Sequence, residues 1–352
     1  MHVRIRIFVG MHLPSVKSLF ILLIFFSSAG RSQTLGGNAT FGFLKLPAAP
    51  QLTALGTVNT SVPSGDISMA AHNPALLRDR MHGQMLASFN LFFAGVKQLN
   101  TMMGFTHARS RTNFSAGIHY MQYGEGVQTD AAGNILGNFR AHDNAISVSA
   151  SRKYLEKWYY GATLKFVNSS YGMYSSRGLL MDVGINYHDS ARALQVGFLA
   201  RNMGLQLKTY GGAGEDMPFD LQLGITKRLA HAPIQFSLTA HRLHQFDILY
   251  RDTTYNIDNF GNAGKAGLAD RIFRHFVFAV QGFVGDKVEL TLGYNFLRRS
   301  ELGITNAANG MAGFSMGAGV MLKRMQVRYA RSVYVNGLAY DQFGLNIELL
   351  KK

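Results

Sequence analysis

The sequence contains no cysteine and has few prolines and few charged residues. Its 352 residues include seven Pro and 16% charged residues, whereas ordinary soluble proteins carry about 25% charged residues. Without Cys, the chain cannot form disulfides or thiolate metal sites. A low charge content together with 12% aromatic residues favours a surface that does not face water.

Long apolar runs are also missing. Beyond the N-terminus, no uncharged apolar run reaches the ~18 residues that a membrane-spanning helix needs, and the mean hydropathy is only +0.03. These values are too low for a helical membrane protein. A transmembrane strand hides only every second residue in lipid, so the composition permits a membrane β-barrel.

Acidic residues are scarce, and none precedes Asp66. The net charge is +15, and four basic residues lie in the first 31 positions, so a chain that begins near Gln33 would carry +11. A basic excess of this kind indicates nucleic acid, anionic lipid or an acidic partner. The strand pattern of the chain argues against nucleic acid.

A secretory signal peptide is predicted for residues 1–32. Residues 19–26 form an apolar run behind Lys17, and residues 27–29 are the small residues that precede a cleavage site. The alternative is an uncleaved anchor, but the run is far shorter than a spanning helix. Because the lead-in is unusually long, Met11 is a candidate for the true initiator.

Residues 33–83 are predicted to form an N-terminal strand and a plug. The stretch 35–46 has the pattern of a short strand, and the residues that follow are rich in small side chains and do not alternate. Their plug motif is Asn73-Pro74-Ala75, in which Asn before Pro favours a turn. Since ionisable side chains are almost absent here, a packed plug fits better than a catalytic loop.

From residue 84 onward, the sequence alternates with a period of two. In the clearest segment, Val288, Leu290 and Leu292 fall on one parity, while Glu289 and Thr291 fall on the other. Successive side chains of a strand point to opposite faces, so each segment has one apolar face. About fourteen strands are predicted, most near the ~9–11 residues that cross a bilayer: 84–96, 98–109, 112–123, 139–153, 158–173, 177–189, 193–202, 217–229, 233–244, 274–284, 287–297, 311–322, 325–334 and 339–350.

Connection lengths provide an independent test, because outer-membrane barrels alternate short periplasmic turns with longer external loops. Connections after even-numbered strands are all short, such as 323–324, whereas the long connections 124–138, 202–217, 245–273 and 298–310 follow odd-numbered strands. The predicted fold is therefore all-β, a transmembrane antiparallel barrel with an N-terminal plug. A soluble secreted β protein is the rival, but its outward face would carry more charge.

Several motifs resemble those of the PorV and PorQ families, which are relatives of the FadL-type outer-membrane transporters. An N-terminal block looks like the start of the barrel in these families; it comprises 43–47, 54–56 and 73–77. A second stretch is more specific to PorQ, with the pieces Pro218-Phe219-Asp220-Leu221-Gln222-Leu223-Gly224 and Lys227-Arg228-Leu229-Ala230-His231-Ala232-Pro233. The resemblance runs from about residue 41 to the end of the chain.

The resemblance implies a non-enzymatic outer-membrane barrel in the attachment complex of the type IX secretion system. Such a barrel would hold a PorZ-like surface protein and, through it, would meet PorU and PorV. The complex joins cargo to anionic lipopolysaccharide, so the implied partners are outer-membrane lipid, these proteins and lipopolysaccharide. The alternative is a FadL-like transporter of hydrophobic small molecules.

The long external loops contain the candidate partner contacts. Arg298 and Arg299, together with Lys208 and Arg251 of other long loops, are predicted to form a basic rim for lipopolysaccharide phosphate or an acidic partner, or else to be ordinary interfacial charges. Aromatic residues near loop ends are interpreted either as partner anchors or as an aromatic girdle; they are Tyr250, Tyr255, Phe260, Tyr334 and Tyr340.

Catalytic and metal-binding patterns are lacking. The sequence has no Gly-x-Ser-x-Gly elbow, no phosphate-binding Gly-rich loop and no His-Glu-x-x-His helix. His241 and His244 are three positions apart, a spacing that points to opposite faces of a strand. We therefore predict no enzymatic activity, no cofactor and no metal site.

Overall fold

A computed structural model describes residues 39–212, 214–248, 267–301, 310–335 and 338–350. Within these residues, fourteen antiparallel strands close into a single barrel in which each strand pairs with its neighbours in sequence and the first pairs with the last. The predicted fold class is confirmed. The predicted signal peptide lies outside the described residues.

All fourteen strands lie where the alternation predicts them, with differences only at their ends. Their bounds are β1 Gln84–Leu91, β2 Lys97–His107, β3 Thr112–Thr129, β4 Ile135–Tyr154, β5 Trp158–Tyr171, β6 Tyr174–Asp189, β7 Leu194–Lys208, β8 Asp220–Arg228, β9 Ile234–Ala240, β10 Phe276–Val284, β11 Val288–Asn295, β12 Phe314–Met321, β13 Met325–Val335 and β14 Leu338–Glu348.

The barrel is apolar outside and polar inside. Across the β1–β14 seam, Phe89 faces Phe343 and both are exposed, while the next pair, Asn90 and Gln342, is fully buried. An outward face of large apolar side chains is stable only in lipid, so the barrel spans a membrane.

No described helix is long and apolar enough to cross a membrane. The short helices of the chain are α1 (Pro50–Ala54), α2 (Leu268–Phe273) and α3 (Phe296–Glu301).

The two ends of the barrel differ, as the connection lengths predict. We call the end with connections after even-numbered strands the short-turn end, and the other end the long-loop end. The tight turns of the short-turn end use the left-handed backbone region at Arg111, Leu155, Ala193 and Gly285, which lets the chain reverse within a few residues. In outer-membrane barrels generally, short turns lie on the periplasmic side and longer loops on the external side.

The predicted loop 124–138 is wrong, because strand structure continues through most of it. β3 extends to Thr129 and β4 begins at Ile135. The pairing of β3 with β2 ends at Gln122, and that of β4 with β5 ends at Ala141. We call residues 123–140 the free hairpin, since it rises above its neighbours. Its side chains are mostly exposed on both faces, so the contrast in polarity that reveals a lipid-facing strand is absent.

The N-terminal segment fills the barrel. We call residues 39–83 the plug. It begins at the long-loop end, where Ala39 bridges Asp216, and ends at the short-turn end, where the Gly83 carbonyl accepts a hydrogen bond from the Leu349 amide at 2.8 Å. Besides α1 it contains four short 3-10 turns: Gly42–Lys45, Ile67–Ala71, Pro74–Leu76 and Asp79–Met81.

The strand predicted at 35–46 is not formed by its described residues. Phe41 has a φ of 56°, which is incompatible with an extended strand, and a 3-10 turn follows it. The side chains of Phe43 and Leu44 are buried against Met121 and Val167 of the wall. The apolar residues that suggested a strand therefore pack on the interior of the barrel.

Candidate functional site

The predicted plug motif lies inside the barrel against the wall. Asn73 caps the following turn by accepting a hydrogen bond from the Ala75 amide at 3.0 Å, and its Nδ2 donates to the Thr60 carbonyl at 2.8 Å. Pro74 meets the wall at Gly161, where even a Cβ atom would lie 2.6 Å from the Pro74 carbonyl carbon. Wall glycines thus let the plug backbone approach β5 and β6.

A buried ionic cluster ties the plug to the opposite wall. Arg328 of β13 donates from Nε to Asp66 of the plug at 3.0 Å, and from Nη1 to Glu289 of β11 at 2.9 Å. Side chains of all three residues are at most 7% exposed. Ser64 and the Ser68 amide complete the hydrogen bonds of Asp66 at 2.9 and 2.8 Å. Because each buried charge is paired, the cluster holds the plug at a fixed position.

Sequence reasoning missed this cluster, although part of the signal was present. Arg328 and Glu289 both lie on the inward parity of their strands. A charged residue at an inward position of a barrel strand needs a partner in the lumen. The partner was not predictable, because Asp66 is 262 positions away from Arg328.

We expect acid to loosen the plug. Burial by itself raises the pKa of Asp66, but Arg328 and the hydrogen bonds from Ser68 and Ser64 outweigh burial and hold the pKa below its usual value. A carboxyl group of this kind stabilises the fold above its unfolded pKa of about 3.9, and the stabilisation is lost as the pH falls through the lower folded pKa. The urea midpoint of the reconstituted barrel should therefore fall below about pH 4.

The matched variant is Asp66→Asn, which keeps the shape of the side chain and removes its titration. Its urea midpoint should start lower at neutral pH and show a smaller acid step than the wild type. Equal acid steps in the two proteins would assign the acid response to other carboxyl groups.

A second polar cluster lies on the wall opposite Arg328. Lys165 of β5 pairs with Asp182 of β6 at 2.5 Å, and Arg201 of β7 is also buried. His72 of the plug faces them, and burial together with the charges of Arg201 and Lys165 keeps its pKa well below the usual value. His72 is therefore neutral, and adds no further positive charge to this part of the lumen.

A small cavity remains between the plug and this wall. It has about 50 Å³ of water-accessible space and is lined by both apolar and polar side chains, among them Leu44, Met102, His119, Lys165 and Arg201. Space of this size holds a few water molecules, whereas pockets for small molecules usually measure about 300–1,000 Å³. The cavity has no room for a typical organic solute.

The predicted basic rim is not formed by Arg298. This residue lies in α3, and its guanidinium points into the barrel, where it donates to Ser332 at 2.6 Å, to Ser315 at 2.7 Å and to the Gly313 carbonyl at 2.8 Å. It is only 7% exposed. A short helix in place of an open loop turns this side chain inward, so Arg298 is a structural residue of the long-loop end.

Of the other residues predicted to contact a partner, some are partly exposed, some are buried and some lie outside the described residues. Arg299 is partly exposed and donates to the Gly310 carbonyl at 3.2 Å. Tyr340 is fully buried and packs on Phe92 and Tyr334 with ring centroids 4.6 and 5.4 Å apart, so it is not an exposed anchor. The other predicted contacts lie outside the described residues: Tyr250, Arg251, Tyr255 and Phe260. In the described ranges, no three His, Cys, Asp or Glu side chains gather as metal ligands.

The fold and the filled lumen define the class of protein: a plugged transmembrane β-barrel of fourteen strands. No family model and no curated protein matches the chain, so the resemblance to the PorQ family stays a prediction.

Solved structures that resemble this barrel include FadL-like barrels. One is the toluene transporter TodX of Pseudomonas putida, with a TM-score of 0.46, 12% identity, and coverage of 84% of this chain and 95% of that chain. Another is the CymD monoaromatic hydrocarbon channel, with a TM-score of 0.47, 14% identity, and coverage of 86% of this chain and 97% of that chain. A third is a mutant of TodX, also a monoaromatic hydrocarbon channel, with a TM-score of 0.48, 12% identity, and coverage of 85% of this chain and 96% of that chain. No conclusion about function rests on these likenesses.

Proposed function

We propose that this chain is a non-enzymatic outer-membrane barrel that anchors a partner protein at the cell surface. The partner suggested by the sequence resemblance is a PorZ-like protein of the type IX secretion attachment complex, and through it PorU, PorV and lipopolysaccharide. The observation that carries the proposal is the free hairpin, residues 123–140, which stands above the barrel at the long-loop end.

The free hairpin has the properties of a binding element. Three large apolar side chains lie beyond the part of the barrel where neighbouring strands pair. They are nevertheless strongly exposed: Val127 by 56%, Ile135 by 74% and Leu136 by 62%. A two-stranded hairpin is marginally stable by itself, and exposed apolar patches on such an element mark interaction sites. Its outer edges are also unpaired, so a partner strand can add to them.

The filled lumen supports anchoring over transport. A transporter needs a continuous path, but the plug crosses the lumen and is held by the Asp66–Arg328–Glu289 cluster. The cavity that the described residues form between the plug and the wall measures only about 50 Å³. A structural role needs no such path. The proposal therefore treats the barrel as a rigid base that presents the free hairpin.

Three apolar side chains of the free hairpin provide the test: Val127→Ser, Ile135→Ser and Leu136→Ser combined. Each buried apolar side chain contributes roughly 1.5–3 kcal/mol, so co-purification of the PorZ-like protein in mild detergent should weaken at least about tenfold. The partner should also appear in the medium. In the matched control, three exposed apolar residues of the short-turn end are replaced by Ser: Leu155, Val284 and Leu322. Wild-type retention in the hairpin variant, with a folded barrel, would count against the proposal.

A FadL-like transporter of hydrophobic small molecules is the second candidate. It is favoured by an apolar cluster inside the long-loop half, where Phe41, Phe43 and Leu44 of the plug pack on Met121 and Leu180. A reconstituted barrel should then pass toluene or a fatty acid, and faster after Phe41→Ala and Phe43→Ala. If it neither binds nor passes either compound, the candidate is eliminated.

A further inference from the structure

The short-turn end carries an uncompensated ring of positive charge. We call the six short turns with their flanking residues the turn ring; they are 107–112, 152–158, 188–193, 227–233, 284–287 and 322–324. The turn ring contains eleven Lys and Arg residues against three carboxylates, Glu156, Asp189 and Asp286. Every one of these cations is exposed, and each of the six turns has at least one: Arg109, Arg111, Arg152, Lys153, Lys157, Arg192, Lys227, Arg228, Lys287, Lys323 and Arg324.

The opposite end shows no such excess among its described residues. There, five cations pair with carboxylates: Arg140–Glu125, Arg242–Glu301, Arg271–Asp247, Arg274–Asp270 and Arg331–Asp341. In the turn ring, a single ion pair is formed, between Lys157 and Asp189 at 2.8 Å. The charge asymmetry is thus a property of the short-turn end and not of the whole surface.

Large apolar side chains accompany the cations. Leu155, Val284 and Leu322 are 70%, 64% and 51% exposed although they lie at the tips of the turns. The guanidinium of Arg228 lies over the ring of Phe283, 4.4 Å from its centroid. Cations beside exposed apolar and aromatic side chains are typical of the boundary between acyl chains and headgroups, where long side chains reach from one to the other.

We propose that the turn ring binds the anionic headgroups of phospholipids in the leaflet that surrounds the short-turn end. Charge complementarity identifies phosphate-bearing lipid as the occupant. The distribution around the whole circumference separates lipid from a protein partner, because a protein would cover one side, whereas a leaflet meets all six turns. The apolar tips enter the same leaflet.

The strength of such a contact follows from general magnitudes. Each Lys or Arg near an anionic membrane surface improves binding by a factor of about five. This attraction falls off within a Debye length, which becomes shorter as salt is added. Guanidinium groups also form charge-assisted hydrogen bonds with phosphate oxygens. Removing four cations of the turn ring should therefore reduce a preference for anionic lipid by at least about tenfold.

Native mass spectrometry of the full-length barrel tests the proposal. The protein is purified in a neutral detergent and titrated with phosphatidylglycerol or phosphatidylcholine of the same acyl chains. We expect phosphatidylglycerol to bind at least about tenfold more tightly, and the difference to shrink at high salt. Inorganic phosphate at the same concentration should not displace it, because free phosphate lacks the acyl chains that the apolar tips contact.

Two variants distinguish the turn ring from charge in general. The first combines Arg109→Gln, Arg111→Asn, Lys323→Gln and Arg324→Gln, with Asn at 111 because that position has a φ of 50°. The control neutralises four exposed cations outside the turn ring: Lys97→Gln, Arg140→Gln, Arg177→Gln and Lys208→Gln. Heat-dependent gel migration verifies that both variants are folded. Loss of preference in the first variant alone supports the proposal; equal binding of the two lipids by the wild type, or equal loss in both variants, overturns it.

Discussion

Replacing Arg328 by glutamine is expected to destabilise the barrel by about 3–5 kcal/mol, the usual result of removing one partner from a buried ion cluster. Asp66 and Glu289 would be left buried and close together without a cation, since both bind the same guanidinium. Urea unfolding in lipid vesicles measures the loss. Protease accessibility of the plug should rise as well, because Asp66 is the plug residue that the cluster holds.

The control for this prediction lies three positions along the same strand. Arg331 pairs with Asp341 at 2.9 Å, but its side chain is 47% exposed, so Arg331→Gln should cost less than about 1 kcal/mol. Converting the whole cluster with Arg328→Met, Asp66→Asn and Glu289→Gln should cost less than Arg328→Gln alone, since no buried charge remains. Similar losses for Arg328→Gln and Arg331→Gln would show that the cluster does not secure the plug.

Gly161→Val is expected to displace the plug motif from the wall. A Cβ atom at this position would lie 2.6 Å from the Pro74 carbonyl carbon and 2.8 Å from the Ala75 amide nitrogen, and backbone atoms cannot move aside as a flexible side chain can. Overpacking of this kind costs about 1–3 kcal/mol or more. The barrel should remain closed, with a lowered urea midpoint and faster proteolysis of the plug.

Gly282 provides the matched control, because it is also a strand glycine but has open space where its Cβ would lie. Gly282→Val should leave the urea midpoint and the plug unchanged within about 0.5 kcal/mol. Because Val has the higher strand propensity, strand propensity alone would stabilise both variants. A stabilised Gly161→Val protein with an intact plug would contradict the packing shown by the structure.

The sequence predicts the strands well because lipid imposes a strict rule on them. Phe89 and Phe343 face lipid and must be apolar, whereas the residues next to them face the lumen and need not be. The period of two is therefore visible in the sequence wherever a strand crosses the membrane. The rule ends at the membrane boundary. Residues 123–140 have no such contrast, and the strand structure there could not be recognised from parity.

The interior of the barrel is predictable only in part. Parity places Arg328 and Glu289 inward, but it does not identify Asp66 as their partner, since the contact depends on where the plug lies. The plug itself has no period, because its 3-10 turns are specified by close contacts such as that between Pro74 and Gly161. The sequence predicts a loop at Arg298 and hence an external side chain, whereas α3 turns its guanidinium into the lumen.

We expect the seam between β1 and β14 to form last during assembly. It joins strands from the two ends of the barrel sequence. Contacts between residues so distant in sequence have the largest loop-closure entropy cost, so they form late. β1 follows the plug directly, with Gly83 hydrogen-bonded to Leu349 beside the seam. Capture of the plug and joining of the seam are therefore coupled, and until both are complete the nascent sheet has two open edges. Biogenesis of this barrel thus depends on protecting those two edges until the last strand pair forms.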